Sequence, residues 1–316
     1  MSRQELIGEG WTDGLIRSQL REGDLIRVAS GRYVPKAELE GWPEVAYRVR
    51  VRAAAQRFDA IVSHVSAAAL YSLPLGGADL STVHLVRPGR GGFRCAGDRT
   101  RHAGMIAPEW LTTVDGVHVT TVARTVVDVA RSQPAKVAVA IMDNALFRGL
   151  CAPDDIRRAM TSIRRHRGAP QARAACALVD GRAESPTETT VRLAARRTSL
   201  PSMELQFDVY DETGRFVGRP DGGFPERGVA WEYDGRGKYG DLLAPGRTPA
   251  DAFLAEKRRE RLLLELGWTV VRIDQEDLVD LRQVLDRLSR AVLAASRPGW
   301  NAPRGTVVFR PPVTIW

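Results

Sequence analysis

The sequence predicts a multidomain protein of mixed α/β class, α+β overall. The chain has 316 residues, of which 44% are hydrophobic, so it is long enough for two or three domains with buried cores. Stretches with helical spacing of apolar residues alternate with short strand-like runs, and turn residues separate them. We expect four parts, at residues 1–40, 41–180, 183–296 and 297–316.

The charge of the chain indicates a polyanion as partner. The formal net charge is +8, and arginine supplies most of the cations. The planar guanidinium group suits phosphates and guanine edges, so we expect DNA, in duplex form, as the partner. The alternative is that these arginines are simply solvated side chains on the surface. The net charge is compatible with both interpretations.

The sequence also predicts the cellular compartment of the protein. No stretch approaches the ~18 uninterrupted apolar residues that cross a bilayer, and the first residues lack the apolar segment of a signal peptide. We therefore expect a cytoplasmic protein without membrane contact. The three cysteines are isolated, so neither zinc nor structural disulfides are expected.

The first 40 residues predict a small winged helix-turn-helix. A cap at Thr12 begins an amphipathic helix that Gly23 ends, and residues 25–28 and 32–35 are typical of a β-hairpin. The arginines expected to contact DNA here are Arg17, Arg21, Arg27 and Arg32. The alternative is an ordinary helix-hairpin packing unit, because six Lys/Arg are balanced by seven Asp/Glu in this part.

Residues 41–180 predict a mixed α/β region to which we assign no chemistry. His64 stands alone before a helix, where a capping or packing role is expected rather than catalysis. Between Ile156 and Val179 there is no acid, while arginines accumulate. Arg164 and Arg165 in this run are expected to contact phosphates, although such a run also suits a solvated face.

Three motifs in the first half, "DLIRVASGRYVP", "SHVSAAALYSLPL" and "DGVHVTTVARTVVDVAR", resemble the AbiEi-type antitoxin and transcriptional-regulator family. The resemblance covers roughly residues 5–150. It implies an N-terminal winged helix, a middle domain and operator binding, commonly at the promoter of a toxin–antitoxin pair. It also implies a nucleotidyltransferase-like toxin as a partner. The oligomeric state stays open.

Residues 183–296 predict the element order αβββαβα. Ser185 is the expected N-cap of the first helix, Pro186 its first residue and Glu188 the acid of a capping box. Three strand-like segments follow, then a charged helix, a buried strand and a last amphipathic helix. Three strands in a meander and a crossover helix to a fourth strand fit a mixed sheet with helices on both faces.

Three acids should meet at one edge of this sheet. Asp221 ends the second predicted strand, and Glu232 and Asp234 end the third. A short turn brings Asp221 beside Glu232, and residues two apart on a strand face the same side. Carboxylates that close repel one another unless a divalent cation joins them, so Mg²⁺ or Mn²⁺ is the expected occupant.

The segments "ESPTE", "RPD", "WEYDG" and "EKRRERLLLELGWTVVRID" resemble the PD-(D/E)XK nuclease superfamily, in particular its compact Vsr-like endonucleases, over roughly residues 183–296. The resemblance implies a fold like that of restriction endonucleases, with Asp221 and Glu232 as metal ligands and Glu188 as a further acid.

One position departs from the superfamily pattern. The usual lysine falls two residues after the second acid, where this chain has Asp234. Lys257 or Lys238 is expected to supply that lysine. The residues expected to act in catalysis are therefore Glu188, Asp221, Glu232, Asp234 and Lys257.

Each of these residues also has a structural alternative. Asp221 and Asp234 both precede glycine, as in many turns, and the alternative role of Glu188 is that of the capping acid alone. Lys257 lies in a basic helix with Arg258, which is expected to bind phosphate or to be solvated.

Two functional hypotheses result. In the first, the chain is a metal-dependent endonuclease that holds DNA by its phosphates. In the second, it is a non-enzymatic regulator or antitoxin whose degenerate nuclease fold binds DNA or a partner and needs no metal. A purely structural C-terminal part is a third reading, because the Pro-rich tail 297–316 ends in an apolar segment suited to docking.

Overall fold

The protein is described by a computed structural model that covers residues 1–29, 31–39, 43–58, 60–87, 94–96, 99–103, 105–234 and 249–316. The chain forms two compact units, Met1–Val179 with Ile315–Trp316, and Asp180–Thr314. The predicted mixture of helices and strands, α+β overall, is confirmed. Among these residues, no helix combines the length and the apolar character needed to cross a membrane.

The first unit begins with two helices and a hairpin: α1 (Arg3–Gly8), α2 (Asp13–Glu22), β1 (Leu25–Ala29) and β2 (Arg32–Pro35). The predicted helix and hairpin are confirmed. Thr12 caps α2 by accepting a hydrogen bond from Leu15 N, and Gly23 ends it with a left-handed φ of 81°.

Helix α1 was not predicted from the sequence. Ser2 caps it, and the Glu5 carboxylate accepts a hydrogen bond from Ser2 N, which completes a capping box. The two helices and the hairpin share a small core made by Leu6, Ile16, Leu25 and Tyr33. This early segment therefore has a hydrophobic core of its own.

A helix, α3 (Pro43–Phe58), leads to a six-stranded sheet. Its strands are β3 (Ile61–Val62), β4 (Val83–Arg87), β5 (Arg94–Ala96), β6 (Arg99–Ala103), β7 (Leu111–Val114) and β8 (Val117–Thr120), in the order β5-β6-β4-β3-β8-β7. The remaining helices of the unit are α4 (His64–Leu70), α5 (Val122–Ala130), α6 (Ala135–Phe147), α7 (Pro153–Ser162) and α8 (Ala169–Cys176). Helix α5 packs against the other four.

The second unit begins with α9 (Pro186–Ala195), whose N-cap is Ser185 as predicted. Its strands are β9 (Glu204–Leu205), β10 (Asp208–Tyr210), β11 (Phe216–Gly218), β12 (Gly222–Phe224), β13 (Val229–Tyr233), β14 (Thr269–Ile273) and β15 (Thr306–Val308). Two helices complete it, α10 (Pro249–Glu265) and α11 (Leu281–Ala294).

The first two predicted strands of this unit differ from the expectation. Gln206 breaks the first into β9 and β10, because its φ of 52° is a left-handed conformation that a strand cannot contain. The second ends at Gly218 rather than at Asp221, and Asp221 instead precedes a strand that was not predicted, β12. Strands β10 and β11 pair with β15 in a three-stranded sheet, in the order β11-β10-β15, and β9 and β12 belong to a four-stranded sheet, β14-β13-β12-β9.

Both faces of the four-stranded sheet are covered by helices, as predicted. Trp231, Phe224 and Ile273 pack on one face with residues of α9 and α11. Ala230 packs on the other face with Leu263 and other residues of α10. The side chains of β13 therefore alternate between two apolar clusters, and every side chain on the α10 face must fit beneath that helix.

The tail contributes a strand that the sequence did not predict. Residues 306–308 form β15, which pairs antiparallel with β10. Further along, Val313 accepts a hydrogen bond from Gly181 N at 2.8 Å. Much of segment 297–316 is thus fixed to the second unit by backbone hydrogen bonds.

Candidate functional site

The pairing of β12 with β13 places two of the predicted acids side by side. Gly222 lies opposite Trp231 in this antiparallel pair, so the preceding Asp221 falls beside Glu232 at the next register position. The Asp221 carboxylate accepts a hydrogen bond from Tyr233 N at 2.8 Å. Asp221 is thus held against the end of β13.

The glycine after Asp221 does not serve a turn. A Cβ at Gly222 would lie 2.7 Å from Trp231 Nε1 and 3.0 Å from Glu204 O. Glycine is therefore needed here because β12 and the Trp231 ring pack too closely for a side chain. The turn alternative for Asp221 does not fit this geometry, since Gly222 belongs to a strand.

Glu232 is buried on the α10 face of β13, with 3% of its surface exposed. One of its oxygens, Oε2, lies 3.0 Å from Arg272 and 3.2 Å from Arg259. Its other oxygen, Oε1, is buried and has no hydrogen-bond partner among the residues that the structure describes. A buried carboxylate oxygen without a donor is costly, by about 1–3 kcal/mol or more, so this atom is well suited to receive a ligand.

Arg272 is the centre of an ion-pair network. It lies on β14 directly opposite Glu232 in the parallel pairing. Its guanidinium group also contacts three further carboxylates, those of Asp234 at 2.8 Å, Glu256 at 2.5 Å and Glu260 at 3.1 Å. Burial by itself lowers the pKa of Arg272, but the charge of Glu232 and the bonds to the other acids outweigh it and raise that pKa above its ordinary value.

Arg259 reaches Glu232 from α10. A Cβ at Gly218 on β11 would lie 2.6 Å from Arg259 Cδ. The glycine therefore leaves room for the aliphatic part of Arg259 to cross the strand. Glu232 is consequently held by two arginines from two elements, and both guanidinium groups approach the same oxygen.

Glu188 forms a second buried acidic position, with 3% exposure. It accepts hydrogen bonds from Ser185 Oγ at 2.8 Å, Gln206 Nε2 at 2.9 Å and Glu184 N at 3.0 Å. Burial nevertheless raises its pKa to about 7, and the charge of nearby Asp221 adds to the increase. Glu188 therefore does more than cap α9, because it also fixes Gln206 and is electrostatically coupled to Asp221.

Two predicted residues, Asp234 and Lys257, make contacts other than those expected. The carboxylate of Asp234 bonds to Arg272, and the ammonium group of Lys257 bonds to Glu260 at 2.9 Å and is mostly exposed. Lys238 lies outside the described residues. Arg272, whose role was not predicted from the sequence, thus lies between the acids Glu232 and Asp234.

The expected cluster of three acids is corrected in one respect. Among the described residues, only one group of three or more His, Cys, Asp or Glu side chains brings its ligand atoms within 4.8 Å of one another, and that group is histidines. Asp221, Glu232 and Asp234 therefore do not form such a group. The reason is that Arg272 binds Glu232 and Asp234 and supplies the positive charge that a cation was expected to supply.

The residues present still fit a divalent cation between Asp221 and Glu232. The Oε1 atom of Glu232 is buried without a donor, and the Asp221 carboxylate is adjacent in the register. Carboxylate oxygens are the ligands that Mg²⁺ and Mn²⁺ prefer. Asp221 and Glu232 are the residues that would hold such an ion.

The arginines predicted to contact DNA are on the surface. Arg17 and Arg21 are exposed on α2, and Arg27 is exposed on β1. Arg32 is half-buried on β2 and lies 3.5 Å from Glu5. The first three side chains are exposed to solvent, and Arg32 forms an ion pair with Glu5.

The remaining predicted arginines belong to other surfaces. Arg164 and Arg165 are exposed in the turn between α7 and α8, and Arg258 is exposed on α10 in the second unit. The exposure of these side chains agrees with either of the expected roles, phosphate contact or solvation.

A group of three histidines was not predicted from the sequence. His64, from the junction of β3 and α4, meets His84 of β4 and His102 of β6, and this is the one compact group of metal-ligand side chains in the described part of the chain. The ring centroids of His64 and His102 are 3.7 Å apart. A capping role for His64 does not fit, because the N-cap of α4 is Ser63. The three residues are far apart in the sequence, so no spacing motif indicates them.

Comparisons with known proteins identify relatives of the chain. No protein-family model matches it. It is 31% identical over 260 residues to two proteins of Mycobacterium tuberculosis, uncharacterized protein MT2308 of strain CDC 1551 and uncharacterized protein Rv2248 of strain H37Rv. Each alignment covers 82% of this chain and 89% of the relative. The chain therefore belongs to the same protein family as these two mycobacterial proteins.

Proposed function

We propose that the chain is a DNA-binding protein whose second unit is a metal-dependent nuclease domain that hydrolyses phosphodiesters. The observation that carries the proposal is the position of Asp221 beside Glu232, whose Oε1 atom is buried without a donor. Two carboxylates placed together at a strand end, one with an unpaired buried oxygen, are suited to bind a divalent cation.

The arrangement of elements supports the same proposal. Helix α9, the strands from β9 to β13, helix α10, strand β14 and helix α11 follow one another as in the PD-(D/E)XK nucleases that this part of the sequence resembles. Asp221 directly precedes β12, Glu232 lies on the neighbouring strand β13, and the resemblance implies that these two residues are the metal ligands. Fold alone does not establish an activity, so the site carries the argument.

The residues of the chain have separate roles in this account. Asp221 and Glu232 hold Mg²⁺ or Mn²⁺, which polarises a phosphodiester oxygen and activates water when it is bound. Tyr233 N positions the Asp221 carboxylate. Arg259 and Arg272 both contact Oε2 of Glu232, which leaves Oε1 as the oxygen that would bind the ion.

Glu188 adjusts the charge beside Asp221. Burial raises its pKa to about 7, so this carboxyl group is partly protonated near neutral pH. The protonated form places one negative charge fewer beside Asp221. We propose that Glu188 sets the number of negative charges around the ion rather than binding it.

DNA is held by exposed cations of the first unit. Arg17, Arg21 and Arg27 are exposed on the second helix and the hairpin, as in the winged helix-turn-helix that we propose for this segment. Arg164 and Arg165 supply further phosphate contacts. The chain is then a DNA-binding protein by its first unit and a nuclease by its second.

A second function is favoured by the ion pairs of Arg272. Its guanidinium group already bonds to Glu232 and Asp234, the latter at the position where the superfamily has its lysine. If this network keeps cations out, the second unit is a binding platform and the chain is a regulator or antitoxin without hydrolase activity. A toxin partner belongs to this second function alone.

Cleavage and binding assays on the full chain separate the two functions. Supercoiled plasmid is incubated with the protein in Mg²⁺, in Mn²⁺ and in EDTA, and duplex binding is measured in parallel. The nuclease function predicts metal-dependent nicking that Asp221→Asn abolishes without weakening DNA binding, because asparagine still accepts the bond from Tyr233 N. The matched control is Asp208→Asn, since Asp208 lies on β10 and its one side-chain ion pair within the described part of the chain is with Arg310 at 3.6 Å.

The outcomes are distinct. Nicking that Asp208→Asn retains and Asp221→Asn loses supports the nuclease. DNA binding without nicking in either metal favours the regulator. Absence of both activities on plasmid, single-stranded DNA and RNA would overturn both functions.

A further inference from the structure

Three histidines converge in the first unit from separate elements. His84 is on β4 and His102 is on β6, and these strands pair in parallel with Val86 opposite His102. His84 and His102 therefore lie on one face of the sheet, two positions apart in register. His64 reaches them from the end of β3, where Ser63 N bonds to His84 O at 3.1 Å.

The imidazole rings form a compact buried group. His64 is 4% exposed, His84 is 8% exposed and His102 is half-buried. His84 Nδ1 lies 2.9 Å from His102 Nε2, and one nitrogen of each ring lies within 4.8 Å of the other two. Three imidazole nitrogens are the ligand set of known sites for zinc and related metals.

The backbone of His64 has a strained conformation. His64 has a φ of 53°, a left-handed conformation that costs about 1–3 kcal/mol in a residue other than glycine. The conformation lies at the junction between β3 and α4, where it turns the side chain to the other two histidines. Strain of this kind is typical of functional sites.

A hydrogen bond also fixes one ligand. Ser63 Oγ lies 2.9 Å from His64 Nδ1, so Nε2 is the nitrogen that stays available for an ion. Metal-binding histidines usually bond through their second nitrogen to a neighbouring group in this way.

We propose that His64, His84 and His102 bind one divalent transition-metal ion of the zinc class. The three rings are neutral at physiological pH, as ligands must be, because burial lowers the pKa of His84 to about 4 and that of His102 to about 3. The pKa of His64 is lowered as well, first by burial and then by the two other histidines. Such an ion would connect β4, β6 and the start of α4.

Binding needs a defined rearrangement. Two nitrogens of tetrahedral zinc are about 3.3 Å apart, since each Zn–N bond is about 2.0–2.1 Å. The His84–His102 pair must therefore open slightly, and the His64 ring must tilt out of its stack on His102. In the metal-free state one of the two bonded nitrogens of His84 and His102 carries a proton, which moves to the other nitrogen of the same ring when the ion binds. The change is a tautomer shift without net loss of a proton.

The charges near the site are nearly balanced. Arg124 and Arg131 act on the histidines electrostatically, and both form ion pairs with the buried Asp128. Asp79 acts on His84 with the opposite sign. The two acids offset the two arginines, so a metal ion would not enter a region of large positive charge.

Metal titration of the full chain, with any affinity tag removed and metals stripped by EDTA, tests the proposal. Zn²⁺ binding is measured by calorimetry, and Co²⁺ is used as a spectroscopic probe because its visible bands report tetrahedral nitrogen ligands. The titration uses the Asp221→Asn chain, which lacks a ligand of the other proposed metal site, and there we expect one ion per chain and a loss of affinity of at least about 100-fold on adding His102→Gln or His84→Gln. The matched control is His118→Gln, since His118 is an exposed histidine on β8 of the same sheet, and we expect no change there.

X-ray absorption on the wild-type chain keeps the test decisive if the variants do not fold. The proposal expects three imidazole nitrogens at about 2.0 Å from zinc. It is overturned by the absence of saturable binding, by equal affinity in His102→Gln, by loss of binding in His118→Gln, or by an absorption spectrum without imidazole scattering. None of these readouts depends on DNA binding or cleavage, so the failure of the proposed function leaves this test intact.

Discussion

Arg272 lies directly across the parallel pair of β13 and β14 from Glu232, and its guanidinium group approaches the Glu232 carboxylate within 3.0 Å. The same group contacts three other carboxylates. One cation thus contacts four carboxylates, and together with Arg259 it accounts for how Glu232 is tolerated at 3% exposure inside an apolar sheet.

Removal of Arg272 should destabilise the second unit. Arg272→Gln leaves Glu232 with Arg259 as its remaining cation, and we expect a loss of about 2–4 kcal/mol in the free energy of unfolding, somewhat less than for a fully buried pair. Urea denaturation measures it. Arg282→Gln is the control, because Arg282 and its partner Asp280 are exposed, and it should change stability by less than about 1 kcal/mol. A loss equal to that of the control would show that the network does not stabilise the fold.

The pH dependence of the free energy of unfolding should reveal the raised pKa of Glu188. Its pKa is raised from 4.5 to about 7, so the folded chain keeps this proton longer than the unfolded chain. The stabilisation that the folded chain gains from this proton is fully present below pH 4.5 and is lost as the pH rises to about 7. Glu188→Gln abolishes this dependence, so the variant should gain up to about 3 kcal/mol relative to wild type between pH 5 and pH 8.

Urea unfolding of both chains at the two pH values measures the gain. The control is Glu212→Gln, since Glu212 is exposed and pairs only with the exposed Arg304 among the described residues. If the difference between Glu188→Gln and wild type is the same at pH 5 and pH 8, the pKa of Glu188 is not raised.

Gly222 should not tolerate a side chain. Gly222→Ala places a methyl group 2.7 Å from Trp231 Nε1, and we expect a loss of about 1–3 kcal/mol from overpacking. Gly76→Ala is the control, because no atom lies within 4 Å of its added Cβ. Thermal unfolding compares the two, and equal melting temperatures would contradict the close approach of β12 to Trp231.

DNA binding should depend on salt through the exposed arginines of α2. Each of Arg17→Gln and Arg21→Gln removes one phosphate contact, and the slope of log K against log salt should become less negative by about one unit per variant. Fluorescence anisotropy on a labelled duplex at several salt concentrations measures the slope. Arg282→Gln should leave it unchanged. Slopes that do not differ from wild type would place the interface elsewhere.

Local signals made parts of the fold predictable from the sequence. The motif "SPTE" indicated the start of α9, because serine, proline and glutamate each favour one position of a helix N-terminus. The Thr12 cap and Gly23 indicated α2 in the same way. Alternation of side chains placed Trp231 and Glu232 on opposite faces of β13.

Other features depend on contacts between distant segments. Arg272 lies in "WTVVRI", which reads as a buried strand, so its role is set by acids that α10 and β13 bring to it. The break at Gln206 has no glycine or proline to indicate it. The histidine group required the order of strands β3, β4 and β6, which no local pattern specifies.

The central claim is that Asp221 and Glu232 hold a divalent cation, and Mn²⁺ binding to the full chain in the presence of duplex DNA tests it most directly. Electron paramagnetic resonance counts the bound ions in wild type and in Asp221→Asn. Any ion at the histidines is common to both proteins, so the difference between them is the readout. The account predicts one bound ion fewer per chain in Asp221→Asn; equal numbers in the two proteins would contradict it.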